Sequence, residues 1–257
     1  MIVQKLKVAL LGLIVPLILL IAWVLVTRHE LFSAQLLPPP KMLWDTAVDM
    51  LQSGELVDNM KVSLVRVILG FLLGATTGFL LGTAMGLWRS VEQYLSPMFN
   101  CVRQIPIVAW LPFFILWLGI DELFKVVFIA VGTLIPVAVK TLEGIKNVPS
   151  AYLEVVRIFE FGWFRTLRIV IIPSALPSII TGLRLGLSEA WMLVVGAELV
   201  AASAGIGNVM TIARRLFQTD VVLVGVIAIA VTGYIMDRIL GLLERRMFSW
   251  GGSREAR

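Results

Sequence analysis

Long apolar runs alternate with short polar connections along the chain. A helix needs about 20 mostly apolar residues to cross a bilayer core. Six stretches come near or exceed that length, at about 8–26, 63–87, 98–118, 123–141, 176–201 and 221–243. Each is predicted to be a membrane helix. The third is the least regular, because Arg103, Pro106 and Pro112 interrupt it. The first run is longer than the roughly 7–15 residues of a signal-peptide core, and no small-residue cleavage site follows it, so it is expected to be retained. The connection 27–61 contains Pro38, Pro39 and Pro40, then Trp44, Val48 and Leu51 at helical spacing before Gly54. That spacing predicts a short amphipathic helix on the membrane surface or against the bundle. Asp121 and Asp220 precede the fourth and sixth runs and suit helix N-caps.

The second run places Gly70, Gly74, Gly78, Gly82 and Gly86 at every fourth position, on one helix face. The fifth repeats the pattern with Ser178, Gly182, Gly186 and Ala190. Small residues in register let another backbone approach closely, in a bundle core or a subunit interface.

Composition narrows the class. Hydrophobic residues make up 59% of the 257 positions and charged residues 15%. Mean hydropathy is +0.94. A water-soluble domain and a disordered chain are both excluded. What remains is an all-α polytopic membrane protein with about six transmembrane helices. We read one membrane domain over 1–257, with an N-terminal helix at 8–26, a core bundle at 63–243 and a cytoplasmic loop at 142–172. The net charge is +5, but the basic residues occupy loops rather than an aromatic-interleaved block, so nucleic acid is not an expected partner. With the N-terminus inside, twelve of the 22 Lys and Arg fall on the cytoplasmic side and six on the other. That bias predicts both termini in the cytoplasm. One cysteine and one histidine cannot form a zinc or cluster site. Cys101 is expected to be a packing residue, and His29 to lie at the water interface.

The connection between the fourth and fifth runs has its own pattern. A helix is predicted from Pro149 to Phe161, with Tyr152, Val155, Val156 and Phe159 on one stripe and Glu154 and Arg157 facing elsewhere. Gly162 is expected to break it. A second short basic helix carries Arg165 and Arg168, and Pro173 and Pro177 lead into the fifth run. Exposed apolar stripes of this kind mark docking surfaces; the alternative is a helix resting on lipid.

Glu154–Arg157, Pro173–Pro177 and Thr181–Gly186 resemble the EAA loop of ABC-importer membrane subunits. Val155 and Val156 stand in place of the family's alanines. Glu160 stands in place of its glycine, with Gly162 two residues later, so the turn is expected to shift. The resemblance runs from about Leu36 to Trp250. Leu37–Pro40, Ser63–Val67, Ile105–Pro106, Ala109–Pro112 and Ile115–Ile120 are similar to the subgroup serving sulfonates, taurine, nitrate and bicarbonate. Gly119–Glu122 and Phe217–Asp220 are most like aliphatic-sulfonate permeases.

The resemblance implies a MetI-like bundle in the bacterial inner membrane and a pore made with a second copy of the chain. It also implies two cytoplasmic ABC ATPase subunits on the 149–172 loops and a periplasmic or lipid-anchored solute-binding protein. The ATPase-coupling residues it implies are Tyr152, Glu154, Val155, Val156, Arg157, Phe159, Glu160, Phe161 and Gly162. ATP and Mg would belong to the partner, with no cofactor in this chain. Independently, the sequence has no Gly-Lys dipeptide and so no Walker phosphate loop.

Charges inside apolar runs are costly, and are usually paired or functional. At 100° per residue, Arg184, Ser188, Trp191, Val195 and Glu198 share one stripe. One reading points that stripe at a translocation path, with Trp110 from the third run as a further candidate. The other leaves Arg184 near the cytoplasmic interface, anchoring its helix or pairing with the loop. Glu189, on the small-residue stripe, is expected to accept hydrogen bonds across a close helix contact or to stay protonated. A secondary transporter using Glu189 as a proton relay is a further reading. An intramembrane enzyme is disfavoured, because its histidine would have to be His29 and no Gly-x-Ser-x-Gly is present.

Overall fold

The computed structural model describes residues 2–248, with side chains described for residues 14–242 and Glu244. Lys5, Lys7, Arg245, Arg246, Arg254 and Arg257 of the charge bias, and residues 8–13 of the first expected span, lie outside the described side chains.

The elements follow in chain order as α1 (Ile2–Arg28), α2 (Pro40–Gln52), α3 (Glu55–Leu87) and α4 (Arg89–Arg103). A 3₁₀ turn (Ile107–Trp110) leads into α5 (Leu111–Leu118), then α6 (Glu122–Lys146), α7 (Ser150–Ile158) and α8 (Trp163–Thr166). A π segment (Leu167–Ile171) joins α8 to α9 (Ile172–Ala201), followed by α10 (Ile206–Arg215) and α11 (Thr219–Phe248).

Among the described residues, four stretches are long and apolar enough to cross a membrane: α3, α6, the continuous Trp163–Ala201 and α11 over Thr219–Leu242. The span expected at 98–118, the least regular of the six, is a broken pair that begins earlier, at Arg89. α4 and Ile107–Leu118 meet at 87°, because Pro106 cannot donate to the helix and biases Ile105 away from helical geometry. The separate basic helix expected at Arg165 and Arg168 is also corrected, since α8 and the π segment that carry them run on into α9 as one continuous rod, Trp163–Ala201. Pro173 has no N–H and its ring crowds the carbonyl of Ile169. The wider π turn at Leu167–Ile171 takes up that misfit without breaking the helix.

α3, α6 and α9 form the centre. The five α3 glycines face α6. A Cβ on Gly78 would lie 2.6 Å from the Leu134 carbonyl oxygen, and one on Gly82 2.5 Å from that of Ala138. Gly182 and Gly186 of α9 meet the other side of α6 at Lys140 and Val137. Val67, Phe124, Phe128, Ile129, Trp191 and Val194 fill the space between the three helices. The glycine stripe therefore packs within one copy of the chain.

α2 appears where the proline run and spacing place it, but Leu43 and Met50 are its buried residues, packed with Val209 and Val224. Trp44 and Leu51 of the predicted stripe are exposed. Asp121 occupies the N-cap position of α6 without a capping bond. Asp220 lies inside the first turn of α11 and accepts a 2.7 Å hydrogen bond from Thr46. His29 is exposed, and Cys101 is exposed rather than packed.

Candidate functional site: a polar cleft, a charged clamp and an exposed elbow

Three features stand out from the apolar bundle. The first is a cleft of about 530 Å³ between the α4–α5 bend, α6 and α9. Arg103, Ile105, Pro106 and Ile107 form one wall, Gly132, Pro136 and Lys140 a second, and Leu185, Ser188, Glu189 and Met192 a third. A larger groove of about 610 Å³ between α1, α2, α3 and α11 is apolar apart from Lys61 and Thr232. Of these two, the first cleft is the one that offers a polar solute several charged and hydrogen-bonding groups, with Arg103, Lys140, Ser188 and Glu189 on its walls.

The stripe expected to face a path separates in the structure. Ser188 lines the cleft, where its hydroxyl donates to the Arg184 carbonyl at 3.1 Å. Arg184 turns away and clasps Asp237 of α11 through two bonds of 2.7 and 2.9 Å, with Glu244 at 3.2 Å. Trp191 is buried and donates to the Ile229 carbonyl at 3.1 Å. Trp110 stacks in an aromatic ladder with Phe113 and Trp117 beside the bend. Glu189 accepts no hydrogen bond among the described residues and faces the cleft instead of sealing a helix contact.

Glu198 belongs to the second feature, a buried clamp at the end of the bundle opposite α7. Its carboxylate accepts from Arg66 at 2.6 Å, from Ser63 at 2.8 and 2.9 Å, and from the Gly207 backbone at 2.9 Å. Arg66 also forks onto Glu122 through two 2.6 Å bonds and donates to the Ala204 carbonyl at 2.7 Å. Lys125 bonds Glu122 at 2.8 Å. Asn59 and Ser63 accept from the backbone of Gly205 and Ile206. Arg66, Glu198 and Lys125 are almost fully buried, as is the neutral Ser63, and the three charges persist at this depth only because each has a partner. The sequence reading passed over Ser63, Arg66, Glu122 and Lys125 as a site. The available signal was an arginine eleven residues into an apolar helix, which demands a carboxylate somewhere.

The third feature is the elbow of α7 and its turn. Val156 is buried, while Tyr152, Val155, Ile158, Phe159, Trp163 and Phe164 are exposed. Glu154, Arg157 and Gly162 are exposed too, and Phe161 is half-buried beneath the Arg165 guanidinium, 4.4 Å from its ring centre. The turn is not shifted. Glu160 adopts the left-handed conformation at φ +49°. Its N–H bonds the Arg157 carbonyl and that of Phe161 bonds Val156, closing a Schellman motif. Gly162, at φ −64°, precedes the next helix instead of making the turn.

With this geometry in place, comparison with known proteins identifies the family. Residues 70–249 match the binding-protein-dependent transport system inner membrane component. A Bacillus subtilis (strain 168) protein described as an aliphatic sulfonates transport permease, SsuC, is 39% identical over 95% of this chain and 88% of its own. The taurine transport system permease protein TauC of Escherichia coli (strain K12) is 33% identical over 91% and 87%. The solved amino acid ABC transporter with histidines shares the fold at a TM-score of 0.65 and 18% identity, over 77% of this chain and 97% of its own. The chain therefore belongs to the binding-protein-dependent transport system inner membrane components, the permease subunits of ABC importers.

Proposed function

We propose that two copies of this chain form the translocation path for a small organic anion, an aliphatic sulfonate. ATP hydrolysis in two cytoplasmic ATPase subunits drives passage, and a periplasmic or lipid-anchored binding protein delivers the solute. The observation that carries this reading is the elbow, a short helix at one end of the bundle with large apolar side chains left uncovered by its own chain. Tyr152, Val155, Ile158 and Phe159 offer a partner protein a docking surface. Because α8 continues through the π segment into α9, a displacement of the elbow bears directly on the cleft wall at Leu185–Met192.

In this reading the elbow faces the cytoplasm, both termini lie on that side, and the Arg66–Glu198 clamp lies at the outer end. The path runs through the cleft, past Arg103, Ser188 and Glu189. Arg184, Trp191 and Glu198 hold helices together around it, and Trp110 braces the bend. The sulfonate reading is supported by the 39% identical relative described as an aliphatic sulfonates permease. The similar protein named for taurine makes an amino-bearing sulfonate the second reading.

Uptake into proteoliposomes holding this chain, its ATPase and its binding protein tests the proposal. An alkanesulfonate is expected to accumulate only with ATP on the ATPase side. Accumulation driven by a proton gradient without ATP would overturn it in favour of a secondary transporter using Glu189.

A further inference from the structure

The larger groove, between α1, α2, α3 and α11, follows the axes of two spans. Val57 and Leu64 line it from α3, and Val224, Val231 and Thr232 from α11. From Val224 to Thr232 it runs about 12 Å at 1.5 Å per residue. One leaflet of a bilayer core is about 15 Å deep. Both α3 and α11 are long and apolar enough to cross a membrane, and the groove occupies the half of each that adjoins the clamp. It therefore opens into the hydrocarbon of a single leaflet.

The polar groups within the groove are engaged by the chain itself. The Trp23 indole N–H donates to the Pro38 carbonyl at 3.1 Å, and the Thr232 hydroxyl to the Met60 sulfur at 3.6 Å. The charge that remains is Lys61, paired with Asp58 at 2.9 Å while both side chains stay more than two-thirds exposed. Such a pair holds the fold by about 1 kcal/mol at most, so both charges stay open to a ligand. A lysine stem lies along apolar surface while its ammonium reaches the headgroup level. Trp44, also on the groove and exposed, is the residue type that membrane proteins place at that level.

Shape and charge select the occupant. A helix of a second copy, 10–12 Å across with its side chains, would take up roughly 900 Å³ or more over that length, against about 610 Å³ in the groove. A hydrocarbon chain is one methylene wide and can lie along both helix axes. Lys61 and Asp58 side by side complement a headgroup that carries both signs. We infer that this groove binds one acyl chain of a membrane phospholipid, whose zwitterionic headgroup seats its phosphate on Lys61 and its ammonium on Asp58. The site is separate from the solute path and does not depend on which solute that path carries.

Photocrosslinking in vesicles tests this with the permease–ATPase complex intact. The vesicles are phosphatidylglycerol with a trace of phosphatidylethanolamine that carries a photoactivatable group midway along one acyl chain. In the wild-type complex, adducts are expected to concentrate on residues 57–64 and 224–232. Exchanging the bulk lipid for unlabelled phosphatidylethanolamine should lower their yield about ten-fold, and Ala228→Phe, which fills the groove, should do the same. Adducts spread evenly over the lipid-facing helices, or a yield unchanged by unlabelled phosphatidylethanolamine, would overturn the inference. So would a second copy in the groove, seen as a disulfide-linked permease pair when Ile227→Cys is oxidised in a Cys101→Ser background. The wild-type adduct map and the lipid competition decide even if Ala228→Phe fails to assemble.

Discussion

Glu160 shows how one residue sets the elbow. A left-handed backbone costs a non-glycine residue roughly 1–2 kcal/mol, and the Schellman bonds around Glu160 hold it there. Glu160→Gly is therefore expected to stabilise the elbow by about 0.5–1 kcal/mol after glycine's own entropy cost. Slower hydrogen exchange at residues 156–161 would register the gain, and unchanged or faster exchange would contradict it. Arg66 lies at the other extreme. It is buried with two carboxylates, and removing one partner of such a network costs about 3–5 kcal/mol. Arg66→Met should lower the midpoint of thermal unfolding sharply, with Glu198→Gln close behind. Arg184 is half-exposed and clasped by Asp237 away from the cleft, so Arg184→Ala should leave solute uptake near the wild-type rate. A large loss of uptake in an assembled complex would restore it to the path.

The helices differ in how openly the sequence declares them. The α3 glycines recur every fourth residue, so their common face was legible, and the structure shows that α6 covers it. Gly78→Ala places a methyl group against the Leu134 backbone, which cannot swing aside, and should cost about 1–3 kcal/mol as overpacking does. Gly196→Ala on α9 meets nothing within 4 Å and should be neutral or slightly stabilising. Equal unfolding midpoints for the two variants would contradict the assigned packing. The elbow was legible for a similar reason, since Pro149, an apolar stripe and Pro173 are local signals. The clamp was not, because Arg66 finds Glu122 and Glu198 at separations of 56 and 132 residues. The stripe of Arg184, Trp191 and Glu198 also misled. A helical wheel fixes which residues share a face but not what that face meets, and here the partners were α11 and the clamp. The 87° bend after Arg103 had its proline on display, but its direction depends on packing that only the fold supplies.

At the scale of the whole molecule, the continuous rod Trp163–Ala201 links the three features. Its 39 residues correspond to about 58 Å at 1.5 Å per residue, from the elbow, along the cleft wall, to Glu198 in the clamp. Motion imposed at one end has a stiff route to the other, and the clamp gives that far end a fixed seat. In this account the elbow is the point at which a separate motor protein acts. Ile158, 77% exposed on α7, provides a direct probe of that contact. With the exposed Cys101 replaced by serine, an Ile158→Cys variant is purified with its ATPase and labelled with a short reagent that is thiol-reactive at one end and photoactivatable at the other, so that no particular residue is needed on the ATPase. The account predicts a crosslinked permease–ATPase product whose yield changes when ATP is added, and no such product from Leu116→Cys on the apolar α5. An Ile158→Cys that yields no crosslink while the complex still imports solute would contradict it.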